Sequence, residues 1–209
     1  MTKLEELLSR YPALDVCKND IASTLVALLE TYRAGGKILL CGNGGSAADC
    51  EHIAGELLKG FLSKRKMTDT TAAKFRAALG EGADEFIEKL QGGIPAISLP
   101  SQVGVLTAYL NDVDAEFVYA QLVYAYAKPC DALVAISTSG NSKNCVRAAE
   151  AAKALGIKTI ALTGAKESNL SKISDVTVRV PETETFKVQE YHLPVYHYLC
   201  AALEEEIFK

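Results

Sequence analysis

The sequence of 209 residues has no long hydrophobic run, no excess of positive charge, no Cys-x-x-Cys pair and only three histidines. Its apolar stretches are interrupted every few residues, far short of the ~20 residues that a membrane helix needs. Lys and Arg number 22 against 26 Asp and Glu, a net charge of -4, so no positive field is present to drive nonspecific binding to nucleic acid. We therefore expect neither a membrane nor a nucleic-acid partner.

The six cysteines lack the pattern of a disulfide framework or a thiolate zinc site, and most of them lie in apolar runs. Reduced, buried thiols are therefore expected. The first residues are acidic and no apolar core follows them, which is not typical of a signal peptide, so a cytoplasmic location is expected. Hydrophobic residues make up 49% of the chain, and this excludes an intrinsically disordered chain.

Short apolar runs alternate with helical patterns along the chain. The runs, each predicted to be a buried strand, are 37–41, 95–99, 132–137, 158–163 and 176–180. The helical patterns between and after them are 46–61, 114–126, 141–155 and 185–208. Two further helices, broken near Pro12, are predicted within an N-terminal extension over 1–34. This alternation predicts an α/β fold, a parallel sheet with helices on both faces.

Residues 62–93 do not fit this alternation of strands and helices. They are polar and rich in Lys, Glu and Ala, and they are longer than the link that would be needed to join a helix to the next strand. We expect one or two surface helices here, over 69–79 and 83–91. The basic triplet Lys64–Lys66 could steer an anionic substrate. A charge run of this kind more commonly belongs to a solvated connector.

A glycine loop, Cys41–Ser46, follows the first strand and opens a helix. Its glycines allow the backbone to approach a ligand, and free N–H groups at a helix start favour an anion. The alternative is structural: Ser46 caps the helix, and Asp49 completes a capping box.

A serine loop, Ser137–Ser142, follows the third strand and also opens a helix. It carries four hydroxyl groups in six residues, whereas a helix cap needs only one side-chain oxygen. Several donors close together suit a phosphate. Both loops lie at carboxyl ends of strands, where ligands bind in open parallel sheets, so we expect a phosphate site there.

Two helical segments carry groups that could bind a metal. His52 and Glu56 are four residues apart and share a helix face, whereas Gln189 and His197 are eight apart and lie about 80° from each other around the helix axis. Together they could form a shell for zinc or another divalent ion. The same groups could transfer protons without a metal, or the histidines could be ordinary interfacial residues. His192 lies about 140° from His197 and is not expected to bind the same ion.

The two loops and the final helix together resemble one family. Four segments, CGNGGSAADCEHIAGELLKGF, LTAYLNDVDAEFVYAQ, VAISTSGNSKNCVRAAEAAKALG and KVQEYHLPVYHYLCAALEEE, are similar to the sugar isomerase (SIS) domain family and within it to the phosphoheptose isomerases. The resemblance implies that the whole chain is a single SIS domain. It also implies a doubly wound, five-stranded parallel sheet of the three-layer flavodoxin or Rossmann type, and a homotetramer with active sites between subunits.

The resemblance also implies roles for residues, position by position. The substrate phosphate would be held by Ser137, Thr138, Ser139 and Ser142. Further substrate contacts would come from Asn43, Gly44, Gly45, Ser46, Asn111, Asp112 and Gln189. Glu56 and His197 would be the catalytic proton-transfer pair. The ligands of one zinc ion per subunit would be His52, Glu56, Gln189 and His197.

The reaction implied is an aldose–ketose isomerisation of a sugar phosphate, here sedoheptulose 7-phosphate, through an enediolate. The chain departs from the family pattern in two places. Gln102 stands where we align a family aspartate, and the 62–93 insertion is longer than the usual connector. The fold also includes non-catalytic relatives, so a regulatory or replication-initiator-associating protein that binds sugar phosphates is the alternative.

Overall fold

The computed structural model describes all 209 residues, and its strands form one sheet in which all pairs are parallel. The strands are β1 (Ile38–Gly42), β2 (Ala96–Ser98), β3 (Ala132–Ile136), β4 (Lys158–Thr163) and β5 (Val176–Arg179). Their order is β2-β1-β3-β4-β5, that of a doubly wound flavodoxin-like sheet. The predicted fold class is confirmed.

Ten α-helices connect and flank the strands. They are α1 (Lys3–Arg10), α2 (Lys18–Arg33), α3 (Gly45–Leu58), α4 (Asp69–Leu79), α5 (Ala83–Lys89), α6 (Val103–Asp112), α7 (Val118–Tyr126), α8 (Lys143–Ala154), α9 (Asn169–Ile173) and α10 (Thr185–Ile207). Short 3₁₀ turns occupy Pro12–Cys17, Gly80–Gly82 and Leu99–Ser101. None of the helices has the length and apolar character needed to span a membrane.

The helix predicted over 114–126 begins later than expected, at Val118. The Asp114 side chain accepts a hydrogen bond from the Glu116 N–H at 2.7 Å, and the Asp114 carbonyl accepts one from Phe117. Such a local turn competes with a helix for the same backbone groups. The preceding α6 was not predicted: none of its residues is fully buried, and only Leu106 and Tyr109 pack against the core, which is too short a stripe to recognise.

The sheet is buried on both faces, since successive residues of β1 pack into different cores. Ile38 and Leu40 join a core with residues of α2, α3 and α10, whereas Leu39 and Cys41 join a core with residues of α7 and α8. Strands covered on both faces are expected to be continuously apolar. The arrangement places α3 and α10 together on one side of the sheet.

The basic triplet in the insertion is not uniformly solvated. Lys64 and Lys66 are exposed, but the Arg65 side chain is completely buried against Glu204, with Nε 2.8 Å from Oε1. Arg65 can therefore neither steer a substrate nor belong to a solvated connector, and both interpretations are wrong for this residue. The insertion leaves and rejoins the fold at one place, where Lys66 and Gln91 form an antiparallel bridge.

All six cysteines are free, and all but Cys130 are buried. Burial raises the pKa of Cys200 to about 12, so this thiol is protonated and packs as an apolar side chain. The expectation of reduced, buried thiols is confirmed for those five.

Candidate active site

The glycine loop joins β1 to α3 through Gly44, which has a positive φ of 56° and precedes the first helical residue, Gly45. No side chain caps the helix. Ser46 lies inside its first turn, and Asp49 accepts a hydrogen bond from Tyr196 rather than closing a capping box. The capping interpretation of Ser46 and Asp49 is therefore wrong. The N–H groups of Ser46 and Ala47 donate to the carbonyls of Asn43 and Gly44 at 3.0 Å. The Gly45 N–H at the helix start has no acceptor in the chain and is open to an anion.

The serine loop shows the same feature at the start of α8. Ser142 occupies the N-cap position, but its hydroxyl does not cap the helix. It forms a hydrogen bond of 3.1 Å with the hydroxyl of Ser137 instead. Ser139 is exposed, and its hydroxyl accepts a hydrogen bond from the Asn141 N–H at 3.2 Å. Hydroxyl and uncapped N–H groups therefore gather at one helix start, which suits an anion with several oxygens.

The two loops touch each other. Gly42 pairs with Ile136 at the ends of β1 and β3, and the side-chain amides of Asn43 and Asn144 exchange hydrogen bonds of 2.8 and 2.9 Å. The Tyr119 hydroxyl donates to the Gly42 carbonyl at 2.7 Å. Asn144 and Tyr119 were not predicted as site residues. Asn144, two positions beyond the serine loop, could have been noticed from its place in the first turn of the helix.

His52, Glu56 and His197 are brought together on the facing sides of α3 and α10. The Nε2 atom of His52 lies 3.5 Å from Nε2 of His197 and 3.5 Å from Oε1 of Glu56. Lys59 donates to the other carboxylate oxygen of Glu56 at 2.8 Å. No group of three or more His, Cys, Asp or Glu side chains is arranged so that it could hold a metal ion.

The Tyr196 hydroxyl contacts the His52 ring at Nδ1, the nitrogen that does not face Glu56 and His197. Its hydroxyl donates to Oδ1 of Asp49 at 3.2 Å and lies 3.1 Å from Nδ1 of His52. Because the one hydroxyl proton goes to Asp49, the hydroxyl oxygen accepts from the Nδ1–H of His52, and this leaves the Nε2 lone pair facing Glu56 and His197. Sequence spacing gave no signal of this contact, since Tyr196 and His52 are 144 positions apart.

Burial lowers the pKa of His197, and the neighbouring His52 lowers it further, against the opposing effect of Glu56. A neutral imidazole at this position can donate or accept a proton near neutral pH. His192 does not join the group: it is buried on another side of α10, with Nε2 3.4 Å from the Thr163 carbonyl. Burial lowers its pKa to about 4.

The remaining predicted residues lie elsewhere. The Gln189 amide packs against Gly45, where an added Cβ atom would be 2.4 Å from Nε2. That is seven residues before His52, or ~10 Å along α3. Asn111 and Asp112 are exposed at the end of α6 and hydrogen bond to each other. Gln102 accepts a hydrogen bond from the Tyr126 hydroxyl at 3.1 Å.

A cavity of about 270 Å³ opens beside His197, between α1 and α10. Arg10, Phe61 and Leu193 contribute to its walls. None of its lining residues belongs to the glycine or serine loop. Within one chain, the two loops are therefore separate from the group of His52, Glu56 and His197, and α3 connects that group to the glycine loop alone.

Comparison with known proteins shows the family of the chain. The SIS domain family matches residues 3–164. A phosphoheptose isomerase of Rhodospirillum rubrum is 35% identical over 91% of the chain and 88% of its own length, and one of Helicobacter pylori strain P12 is 39% identical over 85% and 79%.

Solved structures are similar over nearly the whole chain. The phosphoheptose isomerase GmhA of Neisseria gonorrhoeae superposes with a TM-score of 0.73 at 30% identity, covering 95% of this chain and 93% of that one. A phosphoheptose isomerase of Francisella tularensis gives a TM-score of 0.73 at 28% identity, covering 98% and 100%. The chain belongs to the SIS domain family, among the phosphoheptose isomerases.

Proposed function

We propose that the chain isomerises sedoheptulose 7-phosphate to D-glycero-D-manno-heptose 7-phosphate. The observation that carries this proposal is the meeting of Glu56 and His197 at His52, on two helices of which one begins at the glycine loop. A carboxylate and a neutral imidazole are the groups that an aldose–ketose isomerisation needs. The phosphoheptose isomerases among the relatives support the choice of substrate.

In this proposal, the serine loop binds the substrate phosphate. Ser139 is exposed and Ser142 is partly so, and neither hydroxyl is used to cap α8. Ser137 and Thr138 complete the set. The glycine loop, Asn43–Ser46, contacts the sugar chain, and Gln189 is held directly over Gly45. The Asn43–Asn144 contact keeps the two loops at a fixed separation.

Proton transfer is assigned to Glu56 and His197. The Glu56 carboxylate removes a proton from C1 of the ketose, and the electron pair of that C–H bond forms the enediolate. His197 moves a proton between the oxygens on C1 and C2. Glu56 then returns its proton to C2, which leaves the carbonyl at C1. All protons stay within the substrate and these two side chains, so no co-reactant is consumed.

We also propose that zinc binds here after the side chains move, since in their present arrangement no three His, Cys, Asp or Glu side chains could hold a metal ion. Ligand atoms ~2.0–2.1 Å from a tetrahedral zinc are ~3.3–3.4 Å apart, close to both 3.5 Å separations at His52 Nε2. His52, Glu56 and His197 would hold the ion. The family implies Gln189 as the fourth ligand, and its amide would have to move away from Gly45 to reach the ion. When bound, the ion supplies positive charge that stabilises an enediolate.

We further propose a homotetramer with sites formed between subunits. Val103 and Leu110 of α6 are 64% and 52% exposed, and an apolar helix without a buried residue is typical of a surface that another chain covers. Asn111 and Asp112 lie at the end of the same helix. Light scattering at micromolar concentration should give four times the mass of 22.4 kDa; a monomer would contradict the intersubunit site.

The test is to incubate the protein with sedoheptulose 7-phosphate, and separately with fructose 6-phosphate, and to measure the aldose formed. Glu56→Gln should lower kcat by about 10²–10⁴-fold, the usual contribution of a placed proton-transfer group. Glu51→Gln, the same change on an exposed residue of α3, is the control and should stay within twofold. Binding of the heptulose phosphate without formation of aldose would instead show a non-catalytic protein.

A further inference from the structure

The C-terminal end of α3 is closed by a side chain of the insertion. The last carbonyl groups of a helix have no partner within it, and no backbone hydrogen bond from the C-cap residue Lys59 closes this helix. Arg65 donates from Nη1 to the Leu57 carbonyl at 2.6 Å and from Nη2 to the Glu56 carbonyl at 2.9 Å. The guanidinium thus holds the turn from which the Glu56 carboxylate extends.

Arg65 is itself fixed by Glu204 of α10. Its Nε donates to Oε1 of Glu204 at 2.8 Å, and its charge lies 5.0 Å from the centre of the Phe208 ring. The Glu204 carboxylate also accepts from the N–H groups of Phe61, Leu62 and Ser63 at 2.8–3.1 Å. The carboxylate therefore holds both the first residues after α3 and the guanidinium that caps it.

The charges of Arg65 and Glu204 compensate each other. Burial alone would raise the pKa of Glu204, but the hydrogen bonds from Phe61 and Arg65 outweigh it and lower the pKa below its ordinary value. A buried pair with all its hydrogen bonds made is rigid, and removing one partner leaves an uncompensated charge. Neither charged side chain is accessible to a substrate, since Arg65 is 1% and Glu204 3% exposed.

We propose that Arg65 is a positioning residue for Glu56. The proposal rests on the proposed function, in which Glu56 takes a proton from carbon. A proton-transfer group must be held within a fraction of an ångström, and a 1 Å displacement can cost ~10²-fold in rate. The guanidinium contacts the backbone of Glu56 itself and touches no part of the carboxylate. It therefore sets where the carboxylate lies without taking part in the chemistry.

The insertion gains a role from this assignment. Arg65 fixes the start of the insertion. The residue after its end, Ile94, donates its N–H to the same Leu57 carbonyl at 2.8 Å. Helices α4 and α5 extend between these two points. The segment is consequently anchored on the last turn of α3, so a shift of the insertion is transmitted to Glu56.

Arg65→Lys tests the proposal, because an ammonium cannot reproduce the fork that spans two carbonyls and a carboxylate. The control is Arg76→Lys, the same change in the same insertion at a side chain 59% exposed. We expect Arg65→Lys to lower kcat about 10–100-fold with KM within about threefold, and Arg76→Lys to change neither. The isomerase assay uses the full-length protein and sedoheptulose 7-phosphate.

A double-mutant cycle separates positioning from general damage to the fold. If Arg65 acts through Glu56, Arg65→Lys should lower kcat by less than twofold in a Glu56→Gln background. An equal loss in both backgrounds, or an unchanged kcat in a folded Arg65→Lys protein, overturns the proposal. Should Arg65→Lys fail to fold, Glu204→Gln is put through the same cycle with the same expectations.

Failure of the proposed function would look different. Wild-type protein that forms no aldose overturns the proposed function, and the role of Arg65 with it, before any variant is made. Full turnover by Glu56→Gln alone removes the assigned base. When the wild type forms aldose and Glu56→Gln loses turnover, the kcat values of Arg65→Lys in the wild-type and Glu56→Gln backgrounds decide the role of Arg65.

Discussion

Gly45→Ala would displace Gln189 while leaving the backbone of α3 in place. A methyl group on Gly45 would lie 2.4 Å from Nε2 and 3.0 Å from Cδ of Gln189, and its three nearest neighbours all belong to that side chain. Gly45 does not have a positive φ, so alanine fits the backbone. Since the end of a glutamine side chain can rotate away, the amide should move and the helix should stay.

The size of the effect follows from what the Gln189 amide is proposed to do. If it binds a hydroxyl of the sugar, its displacement removes one neutral hydrogen bond, ~0.5–1.5 kcal/mol. That free energy corresponds to a rise in KM of ~2- to 12-fold. The kcat should change little, because Gln189 lies about two helical turns from His52. The melting temperature should fall by no more than ~2 °C, since alanine is the better helix former.

The assay is steady-state isomerase kinetics together with thermal unfolding, with Gly55→Ala as the matched control. Gly55 lies in the same helix, and a Cβ atom there would meet nothing within 4 Å. The control should keep its KM and gain stability. An unchanged KM in stable Gly45→Ala protein would refute a substrate contact of Gln189. A large loss of stability would refute the claim that only the side chain moves.

The double variant Ser139→Ala, Ser142→Ala should weaken binding of sedoheptulose 7-phosphate at least tenfold in calorimetry, because hydrogen bonds to a charged group contribute ~1.5–3 kcal/mol each; equal affinity would place the phosphate elsewhere. Tyr196→Phe should lower zinc affinity ~10–100-fold in a chelator competition, since it frees the His52 ring; no change would mean that the hydroxyl does not orient His52. Stability should fall from pH 7 to pH 5 by about 2 kcal/mol through His192, because the unfolded imidazole binds a proton below pH ~6.5 and the folded one only below about 4; denaturant unfolding of His192→Leu should lack this contribution.

Local sequence predicted the elements whose signals lie within a few residues. β4 occupies 158–163 as predicted, because every residue needed to recognise a buried strand is in the run itself. The first insertion helix also has its predicted bounds. The Thr68 side chain accepts a hydrogen bond from the Thr71 N–H at its start, and Gly80 ends it with a φ of 57°.

Long-range contacts could not be predicted in this way. In the sequence Arg65 is only one of three adjacent cations, and its burial depends on Glu204, 139 positions away. The Tyr196 contact to His52 spans a similar separation. Helix α6 was missed for a related reason: only Leu106 and Tyr109 of its apolar residues pack against the core of this chain, so their spacing gives little of a core-facing pattern.

The two helices that carry the proposed catalytic residues, α3 and α10, are joined by contacts at three levels along their length. Gln189 meets Gly45, His197 meets His52, and Glu204 meets the chain just after α3 at Phe61. Successive levels are seven or eight residues apart along α10, ~10–12 Å of rise, and they follow the same order along α3 and the residues after it, so the two helices run parallel. Sliding one helix along the other would break all three contacts together. Gly45 and Arg65 lie at opposite ends of α3, and sites this far apart usually contribute additively. Changes at Gly45 and Arg65 should accordingly act separately, the first on KM and the second on kcat.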